Sequence, residues 1–286
     1  MLNISTVLKS LPSYNEISKI AANIGETKSS GVEFTLNTLN ISNRDFTWMT
    51  DLTLSTYRDR WKKRDPNWKP SFYESEDDPI RAIFEYESDG LLQPGEKAPA
   101  HQVSLLPGQI KLKDLNNDGK LDDKDKRLLG SKDPGFIFGF NNTLKYKDFD
   151  LNIYFYGQAN MWMGSSYYDS WATQGRFLND GSNVSRGFIG NWSHDNQNTN
   201  IPSAIDSDYS SGDYNYKKIY FIRLRNLTLG YTIPISKKLL NRIRVYADVN
   251  NPFVITNWTG TDPETEGNQF SYPNVTSYSL GLDITF

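Results

Sequence analysis

The feature that most constrains this chain is a two-residue rhythm. In the closing stretch TSYSLGLDITF, Tyr278, Leu280, Leu282, Ile284 and Phe286 share one parity, and Ser277, Ser279, Gly281, Asp283 and Thr285 take the other. Side chains of an extended strand point alternately to opposite faces, so this stretch predicts a strand with one apolar face. NRIRVYADVN sets Ile243, Val245, Ala247 and Val249 against Arg242, Arg244, Tyr246 and Asp248. FDLNIYFYGQ sets Phe149, Leu151, Ile153 and Phe155 against Asp150, Asn152, Tyr154 and Tyr156, and FIFGFNNTLKY and FTWMTDLTLST behave in the same way. In YFIRLRNLTLGYTI the parity changes between Leu224 and Leu227, which predicts a bulge or the edge of an apolar band.

The connections sharpen the reading. Strands near 31–42 and 46–58 are joined at SNRD, those near 136–147 and 149–160 at YKDF, and those near 220–234 and 241–254 at PISKKLLN. Long loops, near 59–135, 161–219 and 255–275, separate these hairpins, so short and long connections alternate. Transmembrane β-barrels have this layout, with short periplasmic turns, long external loops and aromatic girdles at both interfaces. Aromatic residues make up 14% of the chain, which fits girdles. The predicted fold is therefore all-β: a partial antiparallel transmembrane β-barrel with about seven spanning strands. Counting back from the end, the last strand runs inward and places Phe286 on the periplasmic side. The same count places the loop at 114–125 outside.

That loop, DLNNDGKLDDKD, has the ligand spacing of a calcium loop. Calcium takes roughly six to eight oxygens, supplied by a twelve-residue loop from its positions 1, 3, 5, 7, 9 and 12. Those positions hold Asp114, Asn116, Asp118, Lys120, Asp122 and Asp125, with Lys120 offering its carbonyl. Gly119 stands at position 6, where the chain turns sharply. Asp125 replaces the usual Glu, and its shorter arm makes a bidentate contact harder. A solvated Asn-Asn-Asp-Gly turn is the plain alternative. PGQIKLK before the loop reads extended and RLLGSKDPG after it allows at most one helical turn, so the expected role is a structural calcium rather than a sensor hand.

Composition removes other classes. Net charge is −3, which gives no electrostatic case for nucleic acid. The chain has no cysteine, which excludes disulfides, zinc thiolates and thiol nucleophiles. His101 and His194 both lie in polar loop sequence, and no nucleophile-elbow pattern accompanies them. No apolar run reaches the about 18 residues of a membrane-spanning helix.

The residues in this order resemble SusC/RagA-type TonB-dependent outer-membrane receptors, in the C-terminal part of their β-barrel. The likeness is carried by NIGETKSSGVEFTLNT, DFTWMTDLTLS, AIFEYESDGLLQ, YFIRLRNLTLGYTIP, RIRVYADVNNPFVIT, TDPE and YPNVTSYSLGLDITF. It is densest where PGQIKLKDLNNDGKLDDKDKRLLGSKDPG runs into the hairpin FIFGFNNTLKYKDFDLNIYFYGQAN. The resemblance implies a barrel of about 22 strands around a plug. It implies import of oligosaccharides or peptides across the outer membrane, a SusD-like lipoprotein partner, and drive from TonB through the plug. Residues 1–286 carry no plug, TonB box or signal peptide, so the expectation is a C-terminal fragment whose transport function belongs to a larger receptor. The rival readings are a soluble carbohydrate-binding β-module with a structural calcium, using Trp162, Trp171 and Trp192 as sugar platforms, and a two-carboxylate glycoside hydrolase for which nothing singles out a pair.

Overall fold

The structure is a computed structural model that describes residues 2–10, 19–64, 77–164, 189–203, 212–235, 241–266 and 271–286, with side chains from residue 25 onward. Eight strands form one antiparallel sheet: β1 (Leu2–Ser10), β2 (Lys19–Ser42), β3 (Phe46–Lys63), β8 (Phe136–Tyr146), β9 (Phe149–Gly164), β10 (Tyr216–Ile233), β11 (Arg242–Thr256) and β12 (Ser277–Thr285), in that spatial order. The sheet does not close, and β1 and β12 are its edges. The count exceeds the predicted seven by one. The extra strand, LNISTVLKS, carries no aromatic residue and gives little alternation to read.

Two small hairpin-like sheets interrupt the order between β3 and β8. β4 (Ala82–Tyr86) pairs with β7 (Lys126–Ser131), and β5 (Ser88–Leu91) pairs with β6 (Ile110–Leu112). They occupy the predicted long loop, so that connection is folded rather than open.

Register converts the sequence rhythm into faces. One row of cross-strand partners reads Leu36, Leu52, Phe140, Phe155, Leu224, Phe253 from β2 to β11. Another reads Asn37, Asp51, Asn141, Tyr154, Asn226, Asn250, Ser277 from β2 to β12. Each strand follows the same two-residue period, so one face of the sheet is apolar and the other polar. The polar row is also bonded laterally. Asn37 Nδ2 donates to Asp51 at 2.6 Å, Asn141 Nδ2 to the other Asp51 oxygen at 3.3 Å, and Asn152 Nδ2 to Asn141 Oδ1 at 2.9 Å. Asn226 Nδ2 donates to Asn250 Oδ1 at 3.0 Å.

The predicted parity change in β10 is a bulge. Against β9, Arg225 is the extra residue between the Leu224–Phe155 and Asn226–Tyr154 pairs, while on β11 two residues, Asn251 and Pro252, lie opposite it. Its guanidinium turns to the polar face, where it lies 5.1 Å from the Tyr156 ring. At the short-turn end the apolar face finishes in an aromatic row, Phe46, Tyr146, Phe149 and Tyr231. The last two rings stand 4.7 Å apart.

Buried large side chains concentrate toward the other end. Val32 is 68% exposed and Leu280 88%, so the chain itself covers little of the apolar face. Beyond the band, Met161, Met163, Ile219, Phe221 and Trp258 form a buried cluster. A second cluster, Leu91, Ile110, Leu112 and Trp192, lies within the loop hairpins.

Candidate functional site

The acidic loop runs from β6 to β7, and its backbone takes the shape the sequence predicts. Asn117 and Gly119 adopt positive φ, 58° and 79°, which reverses the chain within two residues. Asp114 accepts from Gly119 N at 2.8 Å and from Asp118 N at 3.2 Å. Asn116 Oδ1 accepts from Asp118 N at 2.9 Å, and Asp118 Oδ1 from Lys120 N at 3.0 Å. Asp122 caps a single 3-10 turn, Asp123–Asp125, accepting from Lys124 N at 2.8 Å. Asp125 closes that capping box from inside the turn, accepting from Asp122 N at 2.8 Å and, across the loop, from Leu115 N at 2.9 Å. It is fully buried.

The loop thus gathers Asp114, Asn116 and Asp118 about one set of N–H groups, while Asp122 and Asp125 hold the exit turn. Residues 115–120 are exposed. Among the described residues, no group of three or more Asp, Glu, His or Cys converges as a metal centre would. The carboxylates face backbone amides instead. The donors are all oxygen, the set a hard cation takes, and a carboxylate oxygen accepting one N–H keeps a second lone pair.

The mouth of the sheet holds groups that sequence pattern did not pair. Arg223 is 3% exposed and lies in a carboxylate cradle. Its Nη2 donates to Asp262 at 2.8 Å and its Nε to Glu264 at 2.5 Å. Arg225 donates to the second Glu264 oxygen. Asp262 also accepts from Glu264 N at 2.9 Å and Asn274 N at 2.7 Å, so its buried charge is hydrogen-bonded on several sides. The TDPE segment is therefore a strap that binds the β11–β12 connection to β10. Arg81 makes a second tie, donating to Asp133 at 3.1 Å and to both oxygens of Glu266. That contact depresses the Glu266 carboxyl below its ordinary range, the hydrogen bond from Arg81 being the main cause.

The other candidates separate. Trp192 is 5% exposed inside its cluster, which is loop packing rather than a sugar platform. Trp162 lies near the end of β9, with the pyrrole edge of its indole against Gly130. Trp171 lies outside the described residues. His101 Nε2 is 2.8 Å from the Leu112 carbonyl, and His194 is exposed beside Trp192.

No protein-family model matches the sequence. Among curated proteins, the chain is 31% identical to TonB-dependent receptor P3 of Formosa agariphila over 96% of its own length and 30% of that receptor's. It is 26% identical to the TonB-dependent receptor SusC of Bacteroides thetaiotaomicron over 94% of its length and 27% of SusC. The chain therefore spans about a third or less of the curated relatives it matches. Those relatives are receptors, not enzymes. Among solved structures, the RagAB peptide importer in its open–open state covers 99% of the chain, with a TM-score of 0.80 and 20% identity, and the chain covers 31% of that structure's chain. A further structure of the RagAB peptide transporter gives a TM-score of 0.77 at 19% identity, covering 97% of the chain and 31% of its own.

Proposed function

The chain is, along nearly its whole length, a homologue of TonB-dependent receptors of the SusC type, and from that premise we propose that it forms part of an outer-membrane receptor wall through which oligosaccharides or peptides are taken up. The observation that carries this reading is the pair of adjacent rows. An apolar row and a polar row cross the same strands, and among the described residues most of the apolar face is left uncovered, Leu224 in the middle of β10 being the buried exception. Lipid covers such a face, while the polar face lines an interior of water or protein. The aromatic row at the short-turn end matches an interfacial girdle. A soluble sandwich would need a second sheet over that face, and none lies there among the described residues.

On this reading the short turns and Phe286 are periplasmic and the loop assembly is external. The open edges β1 and β12 pair with further strands of a larger receptor, because unpaired backbone is not tolerated in lipid. A SusD-like lipoprotein is the partner over the external loops, and TonB acts through a plug. The loop at 114–125 holds a structural calcium through Asp114, Asn116, Asp118, the Lys120 carbonyl, Asp122 and Asp125. Its backbone turn and all-oxygen donor set support this. Replacing Asp114 and Asp118 together by Ala should abolish calcium uptake measured by calorimetry, and unchanged affinity would end the assignment.

Membrane placement is tested by labelling. Single cysteines at 280, 282 and 284 should react with a lipid-phase probe, and cysteines at 281 and 283 should not. Equal labelling of the two sets from water would overturn the barrel reading.

A further inference from the structure

The apolar face of β2 and β3 ends in a basic patch. Beyond Val32 and Thr56, the same parity brings Ser30 opposite Arg58 and Lys28 opposite Arg60. Lys28, Arg58 and Arg60 therefore share the outward face with Phe34 and Leu54. Asp59 belongs to the other face, where it accepts from Ser29 Oγ at 2.5 Å. We infer that this patch holds an anionic lipid of the outer leaflet by its phosphate group. The inference rests on reading the chain as part of an outer-membrane wall, and it names a lipid class that one stretch of that wall selects.

Three observations carry it. The first is unbalanced charge. Side chains directly opposite on antiparallel strands lie about 5 Å apart at Cβ, and like charges placed there repel. Lys28 and Arg60 are such a pair, and Arg58 is diagonal to Lys28. Among the described residues, none of the three makes an ion pair. The nearby acids are engaged elsewhere. Asp77 pairs with Lys62 at 3.3 Å, Glu26 stands opposite Lys63, and Asp78, 7% exposed, feels the charge of Arg64 more than that of Arg60. An anion shared by the three cations turns their repulsion into attraction.

The second is depth. Arg58 stands twelve residues along β3 from Phe46, which belongs to the aromatic row at the short-turn end. At about 3.3 Å per residue and a strand tilt of about 40°, that is roughly 30 Å of height, against an apolar band of about 25 Å. Arg58 thus lies just past the band on the loop side. Lys28 and Arg60 lie about 5 Å further out, at the level of lipid headgroups.

The third is the surface beneath. Val32 is 68% exposed and Phe34 50%, so acyl chains have an apolar wall directly below the cations. A free phosphate would use the cations and leave that wall unused. Arginine forks and lysine ammonium groups donate to phosphate oxygens, and their aliphatic stems can lie along apolar surface.

The test uses the purified full chain in neutral detergent micelles with three probes: diphosphoryl lipid A, the same lipid with both phosphates removed, and inorganic phosphate. Binding is read by native mass spectrometry, and stability by the unfolding midpoint. Diphosphoryl lipid A should bind about tenfold or more tighter than the dephosphorylated form, since each cation near anionic lipid is worth about fivefold. Inorganic phosphate should neither saturate the patch nor displace the lipid. Lys28→Gln and Arg58→Gln should each weaken diphosphoryl lipid A about fivefold and leave the dephosphorylated lipid unchanged. Lys218→Gln, the same charge loss on β10, should change neither by more than about twofold. Lys28→Gln also relieves the repulsion from Arg60. Its midpoint should therefore rise in plain detergent, while the further rise on adding diphosphoryl lipid A shrinks. A midpoint that fell in both conditions would make Lys28 a structural residue and overturn the site. The inference is also overturned if the dephosphorylated lipid binds equally, if the Lys28 and Arg58 variants keep the preference, if Lys218→Gln weakens binding as much as they do, if inorganic phosphate displaces the lipid, or if no probe binds. Lipid-phase labelling of Leu282→Cys is read in the same preparation. A labelled wall without the phosphate preference sinks the patch alone, and an unlabelled wall sinks the receptor reading with it.

Discussion

The two ends of β10 follow the same alternation and live in opposite surroundings. Toward the short turn, Leu229 is 52% exposed and Ile233 39%. Toward the loops, Ile219 is 1% and Phe221 0% exposed, and Arg223 between the same neighbouring strands is 3% exposed. The exposed pair and the buried pair sit on opposite faces, because the Arg225 bulge and the loop strap bring the polar side of the sheet under cover at the mouth. Alternation therefore identifies a strand with two unlike faces and does not say what covers either one. On the wall, in the function proposed above, the covering is lipid, supplied from outside the chain. At the mouth the covering is the chain's own loops, and the molecule has its conventional core there.

That contrast predicts where substitution acts through the fold itself. Arg223→Ala removes the cation from a cradle whose Asp262 is 2% exposed, leaving a carboxylate buried without its charge partner. Breaking such a pair from one side costs about 3–5 kcal/mol. The loss should appear as a lowered denaturation midpoint and as early proteolysis in the β11–β12 connection. It should be the same in detergent and in bilayers, because the loops supply the covering. A loss below about 1 kcal/mol would show that the mouth is not the self-covered region.

On the wall the solvent decides. Leu282→Arg places a charge on the apolar face, the one proposed to meet lipid, opposite Val245. It should cost about 2–4 kcal/mol if the site lies near the bilayer midplane. Ser279→Arg, on the polar face opposite Asp248, should cost much less. Read from unfolding in bilayers of matched thickness, the difference should shrink in a detergent that lets the long side chain reach water. Equal costs in bilayers would remove the distinction between the two faces.

These cases mark what was legible in the sequence. The strand parities, the β10 bulge, the short hairpin connections and the reversal at Gly119 follow from local rules, since period and turn chemistry act within a few residues. The pairing of Arg223 with Asp262 and Glu264 joins positions 39 and 41 residues apart. The tie from Arg81 to Glu266 spans 185 residues. No local period encodes such distances. TDPE was visible as a segment, but its acids became a strap only when the loop's return over β10 was known. β1 was missed for the opposite reason: its pattern is local but too weakly amphipathic to read, and a neighbour in the sheet determines its state.

Within the mouth, the acidic loop should be a softer part. Asp125→Ala removes the acceptor for Leu115 N and Asp122 N from a fully buried position. Leaving part-buried donors unsatisfied costs at most about 1–3 kcal/mol. The effect should stay local. Hydrogen exchange should quicken across 114–126 and hardly change in β8 and β9. Spread into those strands would mean that the loop and the wall form one cooperative unit, which would weaken the contrast between the two regions.

The smallest effect belongs to the outer tie, and pH isolates it. Glu266 has its side chain 59% exposed, so its contact with Arg81 is a screened surface pair worth roughly 0–1 kcal/mol. Its carboxyl is held below the ordinary value by the Arg81 hydrogen bond. A depressed folded pKa means that the unfolded chain takes up its proton first as pH falls. The contribution is therefore complete above the ordinary glutamate range and is lost as pH drops through the lower folded value. Glu266→Gln should reproduce the low-pH behaviour at neutral pH, and the wild-type and variant stability curves should converge in acid. Arg223 and its carboxylates lie under cover and Arg81 with Glu266 lies at the rim, so high salt should weaken the second tie well before the first. If salt and acid acted on both ties alike, the mouth would have no covered interior distinct from its surface.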